Sequence, residues 1–219
     1  MDYTESAANR AYLSGIIAVP PVYSHEVYGE GFYELHIAVE RLSDSRDVLP
    51  VTVSERLMEG RDFSVGSELA VIGQFRSYNK IADGRSKLML TVFARELIEP
   101  DLAQNPNCVE LTGYVCKQPI YRTTPFKREI CDILLAVNRA YNKSDYIPCI
   151  AWGRNARFVK NIPVGERVCV SGRIQSREYQ KKLDDLNFET RVAYEVSVSK
   201  IAAEGGVEGA DEAASALDE

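Results

Sequence analysis

The sequence predicts an all-β protein: two tandem five-stranded Greek-key barrels, each with a short helix between its third and fourth strands, followed by an acidic C-terminal tail. Three observations predict it: an internal repeat, strand-like alternation within each copy, and a change of composition near the end. Residues 10–100 recur in diverged form at 108–201. Gly15, Pro21 and Tyr23 match Gly113, Pro119 and Tyr121 at an offset of 98 residues. Ala38, Val39, Arg41 and Pro50 match Ala136, Val137, Arg139 and Pro148 at the same offset. Gly66 and Gly73 then match Gly165 and Gly172 at 99, so one residue has been inserted. A register held this long indicates two copies of one domain. The expected division is an N-terminal barrel at 1–100, a linker at 101–107, a C-terminal barrel at 108–201 and a disordered tail at 202–219.

The elements are clearest in the second copy. Val109, Leu111, Gly113 and Val115 alternate with other residues as a first strand, and Ile130–Val137 is a denser apolar second. Ile147–Trp152 is the third, Arg167–Gln175 the fourth, and Val192–Val198 the fifth. Between the third and fourth, Phe158, Val159 and Ile162 have the spacing of one helical face within Asn155–Ile162, which Pro163 and Gly165 terminate. Five strands with a helix in that position describe an OB-fold, whose helix plugs an open end of the barrel. Gly113 and Gly172 interrupt their strands where a small barrel bends, and Gly15 and Gly73 do so in the first copy. Asp101–Asn107 carries turn chemistry, and from Ala202 the chain is largely Gly, Ala and acid, with little to bury.

Net charge is −6, but it is unevenly placed. Residues 1–107 sum to −6, residues 108–201 to +6, and residues 202–219 hold six acids and no base. The cationic surface therefore lies in the second copy, where a polyanion would be held. No segment approaches the roughly 20 apolar residues of a membrane helix. The N-terminus lacks the basic cluster of a secretory signal, so a cytoplasmic protein is expected. The five cysteines have no paired spacing; Cys131, Cys149 and Cys169, in strand-like runs, are expected to be small buried hydrophobes rather than disulfide or zinc ligands. His25 and His36 have no metal-like neighbours, and Asp184 and Asp185 are expected at a polar hairpin tip. No cofactor or metal is expected.

Three separated blocks of the second copy are specific. They are Leu-Leu-Ala-Val-Asn-Arg at 134–139, Asp-Tyr-Ile-Pro-Cys-Ile-Ala-Trp-Gly at 145–153, and Arg-Val-Cys-Val-Ser-Gly-Arg-Ile-Gln-Ser-Arg-Glu-Tyr at 167–179. In this order and spacing they resemble the bacterial single-stranded DNA-binding protein family over about 90 residues. The resemblance implies sequence-independent binding of single-stranded DNA in replication, recombination and repair. Unstacked bases are held on aromatic faces and the backbone in a basic groove. At family positions, Tyr146, Trp152 and Tyr179 would stack bases, with Tyr141 in the loop after the second strand. Arg139, Lys143, Arg154, Arg173, Arg177 and Lys181 interleave with them. Arg122, Lys127, Arg128 and Lys182 join Lys181 in the two loops by which OB-folds commonly grip oligonucleotides. Each stacked base is worth about 1–3 kcal/mol, a figure that comes from proteins of this very kind.

The first copy keeps the skeleton and loses most of this chemistry. Ser54 stands opposite Trp152, Val48 opposite Tyr146, and Ser24, Gly29 and Glu30 opposite the basic loop; Tyr78 lies near the position of Tyr179. A mainly structural first barrel is the expectation. The resemblance further implies four OB-folds per assembly, hence a homodimer. The family's acidic tail ends in an apolar tip that recruits replication and repair proteins; here only Leu217 precedes the terminal Asp218 and Glu219. Two other readings compete: an interaction module of the replication or primosome machinery with incidental nucleic-acid binding, and a nuclease. Two histidines and scattered acids give little support to an enzyme. RNA in place of DNA leaves no sequence signature.

Overall fold

The structure, a computed structural model, describes residues 8–41, 45–82, 84–182 and 187–204. The first half contains β1 (Asn9–Val27), β2 (Glu30–Glu40), β3 (Arg46–Ser54), α1 (Glu55–Met58), β4 (Glu68–Ala82) and β5 (Arg85–Ile98). The second contains β6 (Asn107–Val115), β7 (Ile120–Thr123), β8 (Glu129–Arg139), β9 (Lys143–Trp152), α2 (Gly153–Val159), β10 (Arg167–Lys182) and β11 (Phe188–Ala203). Each half closes on itself. In the first, β2, β3, β5, β4 and β1 follow one another and β1 returns to β2. In the second, β6, β10, β11, β9 and β8 do the same, with β8 returning to β6 and β7 added at its edge. One parallel contact, β3 with β5 and β9 with β11, completes each barrel. Both halves are OB-folds.

The alternation seen in sequence becomes the barrel interior. On β8, Cys131, Ile133, Leu135 and Val137 face the core, as do Ile147, Cys149 and Ala151 on β9. Val159 of α2 and Ile162 just beyond it enter this core as the apolar spacing predicts, joined by Ala156; Phe158 is only half-buried against it, and the helix runs Gly153–Val159 rather than Asn155–Ile162. Gly172 stands at an irregularity between Ser171 and Gly172, where a Cβ would collide with the carbonyl oxygen of Ser197. Gly73 meets the carbonyl of Phe93 in the same way. The repeated glycines thus permit strands to cross in close contact.

The two barrels form one 11-stranded sheet, because β1 and β6 pair antiparallel with Ala11 opposite Val109. A reciprocal pair of buried carboxylates reinforces this joint. Asp47, on β3, accepts the backbone N–H of Ser176 at 2.6 Å and its hydroxyl at 3.0 Å. Asp145, the repeat-related residue on β9, accepts the backbone N–H of Ser77 at 2.8 Å. The Ser77 hydroxyl oxygen in turn accepts the backbone N–H of Tyr146 at 2.8 Å. Each carboxylate also faces its own barrel's arginine: Arg41 donates to Asp47 at 2.5 and 2.7 Å, and Arg139 to Asp145 at 3.3 Å. Buried charges of this kind are tolerated only when paired and hydrogen-bonded.

Some boundaries move. Asn107, expected in the linker, begins β6; its amide donates to the Ile174 carbonyl and accepts the Ile174 N–H, and Asn9 does the same with Phe75. Ala202 and Ala203, expected in the tail, end β11, opposite Cys169 and Val168. Residues 205–219, including Leu217, lie outside the described residues, as do Asp184 and Asp185. Cys131 and Cys149 are buried as expected, and burial raises both thiols, Cys131 to about 11. Cys169 is exposed instead, because Val168 and Val170 on either side of it take the core positions of β10.

Candidate nucleic-acid interface

The outer wall of the second barrel runs through β10, β11, β9, β8 and β7. On β9 the core takes Ile147, Cys149 and Ala151, so Tyr146 and Trp152 emerge on the outer face. Tyr146 is 47% exposed and Trp152 is half-buried. Ile130 and Ile150, buried but outside the core cluster, sit under the same face. The register places Arg122, Ile130 and Trp152 in one cross-strand row. The Trp152 indole N–H donates to the Ser197 hydroxyl at 3.3 Å, which fixes the ring beside β11. Arg154 follows, exposed, in the first turn of α2.

Beyond β11, the outer positions of β10 are Arg173, Gln175, Arg177, Tyr179 and Lys181. Tyr179 is 37% exposed, and the Arg177 guanidinium lies 5.9 Å from its ring centre. Arg177 also approaches Glu195 at 3.6 Å. Tyr141 is 93% exposed at the β8–β9 turn, with φ of 60° beside Asn142 at 54°. Two successive residues of positive φ make the mirror-image turn that suits the twist of a hairpin, at a conformation normally given to Asn or Gly. Lys143 is exposed immediately after it.

The ten expected backbone contacts do not share one environment. Lys127 and Arg128 are exposed at the β7–β8 hairpin tip, and Arg122 is exposed while paired to Asp132 at 2.9 Å. Lys181 is half-buried on β10; the side chain of Lys182 lies outside the described residues. Arg139 is at the inter-barrel joint, held by Asp145. Arg173 lies close to the other carboxylate of that joint, 3.6 Å from Asp47. Burial lowers the Arg173 guanidinium below its ordinary range, and Arg41 nearby adds to the effect.

Two aromatic residues escaped the sequence reading. Phe126 is 87% exposed between Pro125 and Lys127, and Phe188 is 60% exposed opposite Lys182. Phenylalanine ordinarily signals core, so composition gives no hint; only their place in hairpin tips beside lysines would have flagged them. Among the described residues no group of three His, Cys, Asp or Glu could hold a metal ion. No described helix is long and apolar enough to cross a membrane.

Paired OB-folds, one with an outer face of half-exposed rings among guanidinium and ammonium groups, define the class: a tandem OB-fold protein with a surface suited to a flexible polyanion. Residues 106–203 match the model of the single-strand binding protein family. Single-stranded DNA-binding protein 1 of Staphylococcus aureus is 37% identical over 93 residues, 39% of this chain and 56% of that protein. Single-stranded DNA-binding protein A of Bacillus subtilis is 34% identical over 96 residues, 41% of this chain and 56% of its own. Single-stranded DNA-binding protein 3 of Clostridium acetobutylicum is 33% identical over 96 residues, and 67% of its length is covered. The chain belongs to this family, and it spans little more than half the length of the first of these relatives. The fold of the whole chain is that of the wild-type single-stranded DNA binding protein from Thermus aquaticus. The TM-score is 0.68 at 20% identity, covering 96% of this chain and 98% of the other.

Proposed function

We propose that the chain binds single-stranded DNA without sequence preference and acts by binding alone. The observation that carries this reading is the pair Tyr146 and Trp152, turned outward from one strand of a barrel whose segment has a net charge of +6. Bases stack on Tyr146, Trp152, Tyr179 and Tyr141, and every base offers a face for that purpose. Phosphates are drawn to Arg122, Lys127, Arg128, Lys143, Arg154, Arg177, Lys181 and Lys182, while Arg139 and Arg173, beside the buried carboxylates of the joint, hold the barrels together. Two chains combine to present four OB-folds, and the protein protects exposed strands in the cytoplasm during replication, recombination and repair. Its acidic tail contacts replication or repair proteins.

Trp152 is the only tryptophan, so its fluorescence reports one site. Titration with oligo-dT at low salt is expected to quench it, and added salt to restore it. An unchanged signal at low salt would favour a protein-docking module instead.

A further inference from the structure

The repeat places a second set of rings on the first barrel, moved to neighbouring positions. Phe32 pairs with Ser54 across β2 and β3, as Ile130 pairs with Trp152 across β8 and β9. Phe93 pairs with Thr52 on β3 and Gln74 on β4, as Ser197 pairs with Ile150 and Arg173. Where the second barrel has Trp152 over Ser197, the first has Ser54 beside Phe93. The aromatic surface is shifted by one strand rather than lost. Sequence comparison at fixed offsets sees only Trp152 replaced by serine.

The rings form a series. His25 stacks on Phe32 at 5.2 Å and 13°, and Phe32 meets Phe93 at 5.6 Å and 35°. Two guanidinium groups flank Phe93, Arg76 at 4.3 Å and Arg95 at 5.5 Å from the ring centre. The buried Gln74 side-chain oxygen accepts from both: Arg76 at 2.5 and 3.1 Å, Arg95 at 3.4 Å. One polar atom therefore holds two cations against one ring. Phe32, Ser54, Phe93 and Arg95 line a cleft of about 420 Å³, within the roughly 300–1,000 Å³ of small-ligand sites. Glu30 in its wall is neutralised by Arg56, paired at 2.5 Å. Two more acids are near: Glu55, on α1 next to this wall, and Glu34, on the face of β2 that carries Phe32 and in one cross-strand row with Thr52 and Phe93.

We propose that this cleft is a second nucleotide-binding site, in which a base lodges against Phe32 and Phe93 and its phosphate meets Arg95. It rests on the reading of the chain as a single-strand binder. The chemistry is that of the other barrel: flat apolar surface for a base, planar cations able to stack as well as to hold phosphate. Positioning by Gln74 means Arg95 loses little freedom on binding. One strand would then engage both barrels of a chain, against the scaffold role the sequence alone suggests for the first.

Moving the single tryptophan tests it. A chain carrying Phe93→Trp with Trp152→Phe has its only indole in the proposed cleft. Oligo-dT is expected to quench that indole at low salt, reversibly with salt. An intact quench of Trp152 in the parent protein with no response at position 93 would overturn the inference and leave the proposed function standing. No response at Trp152 in the parent would overturn that function first. Should the relocated ring disturb folding, Arg95→Glu in the otherwise native chain is an exposed change with its own readout. It is expected to weaken oligo-dT binding roughly tenfold and to lower the nucleotides bound per chain at saturation. Unchanged affinity and stoichiometry would overturn the proposal.

Discussion

Asp47 and Ser176 stand 129 residues apart on different barrels, and the carboxylate accepts both the backbone N–H and the hydroxyl of the serine. The repeat-related Asp145 reaches back to Ser77, yet the two carboxylates are not electrically equivalent. Burial opposes ionisation of Asp47, but Arg41 and both Ser176 donors outweigh it and hold the carboxyl below its ordinary range. Burial dominates at Asp145 and raises it, since Arg139 is farther away, at 3.3 Å. The Asp145 Oδ2 atom has no hydrogen-bond partner among the described residues. Asp47 therefore contributes stability that is present above the unfolded value of about 4 and lost as pH falls through its lower folded value. Asp145 has the opposite sign: its contribution is present below about 4 and lost as pH rises through its higher folded value.

The consequence is an asymmetric pair of variants. Asp47→Asn is expected to cost about 3 kcal/mol at pH 7, because it removes the charge that Arg41 and Ser176 were arranged around. Asp145→Asn is expected to cost less than about 1 kcal/mol, since an amide keeps one acceptor for Ser77 and removes a poorly compensated charge. Urea denaturation at pH 7 measures both. Repeated at pH 3, the gap between the variants should narrow. Equal losses at pH 7 would contradict the assignment.

Gly172→Ala tests the crossing of strands. The added methyl meets the Ser197 carbonyl at a bulge, where neither strand can retreat without breaking pairs on both sides. A loss of about 1–3 kcal/mol is expected from overpacking. Because Ser197 also anchors the Trp152 indole, the emission of that ring should shift as well. Gly29, at a positive φ with open space around it, would lose stability on the same substitution without any change at Trp152.

The barrels were legible because burial imposes a period on sequence: Ile133, Leu135 and Val137 announce their strand whatever the loops do. The shared outer face of Tyr146 and Trp152 was legible because they fall on one strand with even spacing. The joint was not, since Asp47 and Asp145 look like any strand-end acids until the β1–β6 pairing brings the barrels together. That is also why the sequence shows Arg139 as a cation for phosphate and not its place at the joint. The rings of the first barrel were hidden for a different reason. Phe32 and Phe93 lie on strands other than the one carrying Ser54, and an alignment compares positions along the chain rather than across a sheet.

Tyr141 sits at φ 60° in the β8–β9 turn, a conformation that costs an ordinary residue about 1–2 kcal/mol. Glycine would relieve this while losing about 0.5–1 kcal/mol in backbone entropy. Tyr141→Gly is therefore expected to raise stability by up to about 1 kcal/mol, read from the thermal midpoint, and to weaken oligo-dT binding through loss of the ring. A stabilised variant with unaltered binding would remove Tyr141 from the interface.

Salt dependence separates cations that hold phosphate from cations that hold the protein together. Each phosphate contact on a single strand contributes about −0.7 to the slope of log K against log salt. Lys143 is exposed at the end of the β8–β9 turn, so Lys143→Gln should flatten the slope by about that amount with little change in stability. Arg139 is engaged by Asp145, and its replacement by Gln leaves that buried carboxylate without a cation from its own barrel. Arg139→Gln should therefore lower the urea midpoint and leave the slope nearly unchanged. The same variant flattening the slope with no loss of stability would move Arg139 from the joint to the nucleic-acid surface.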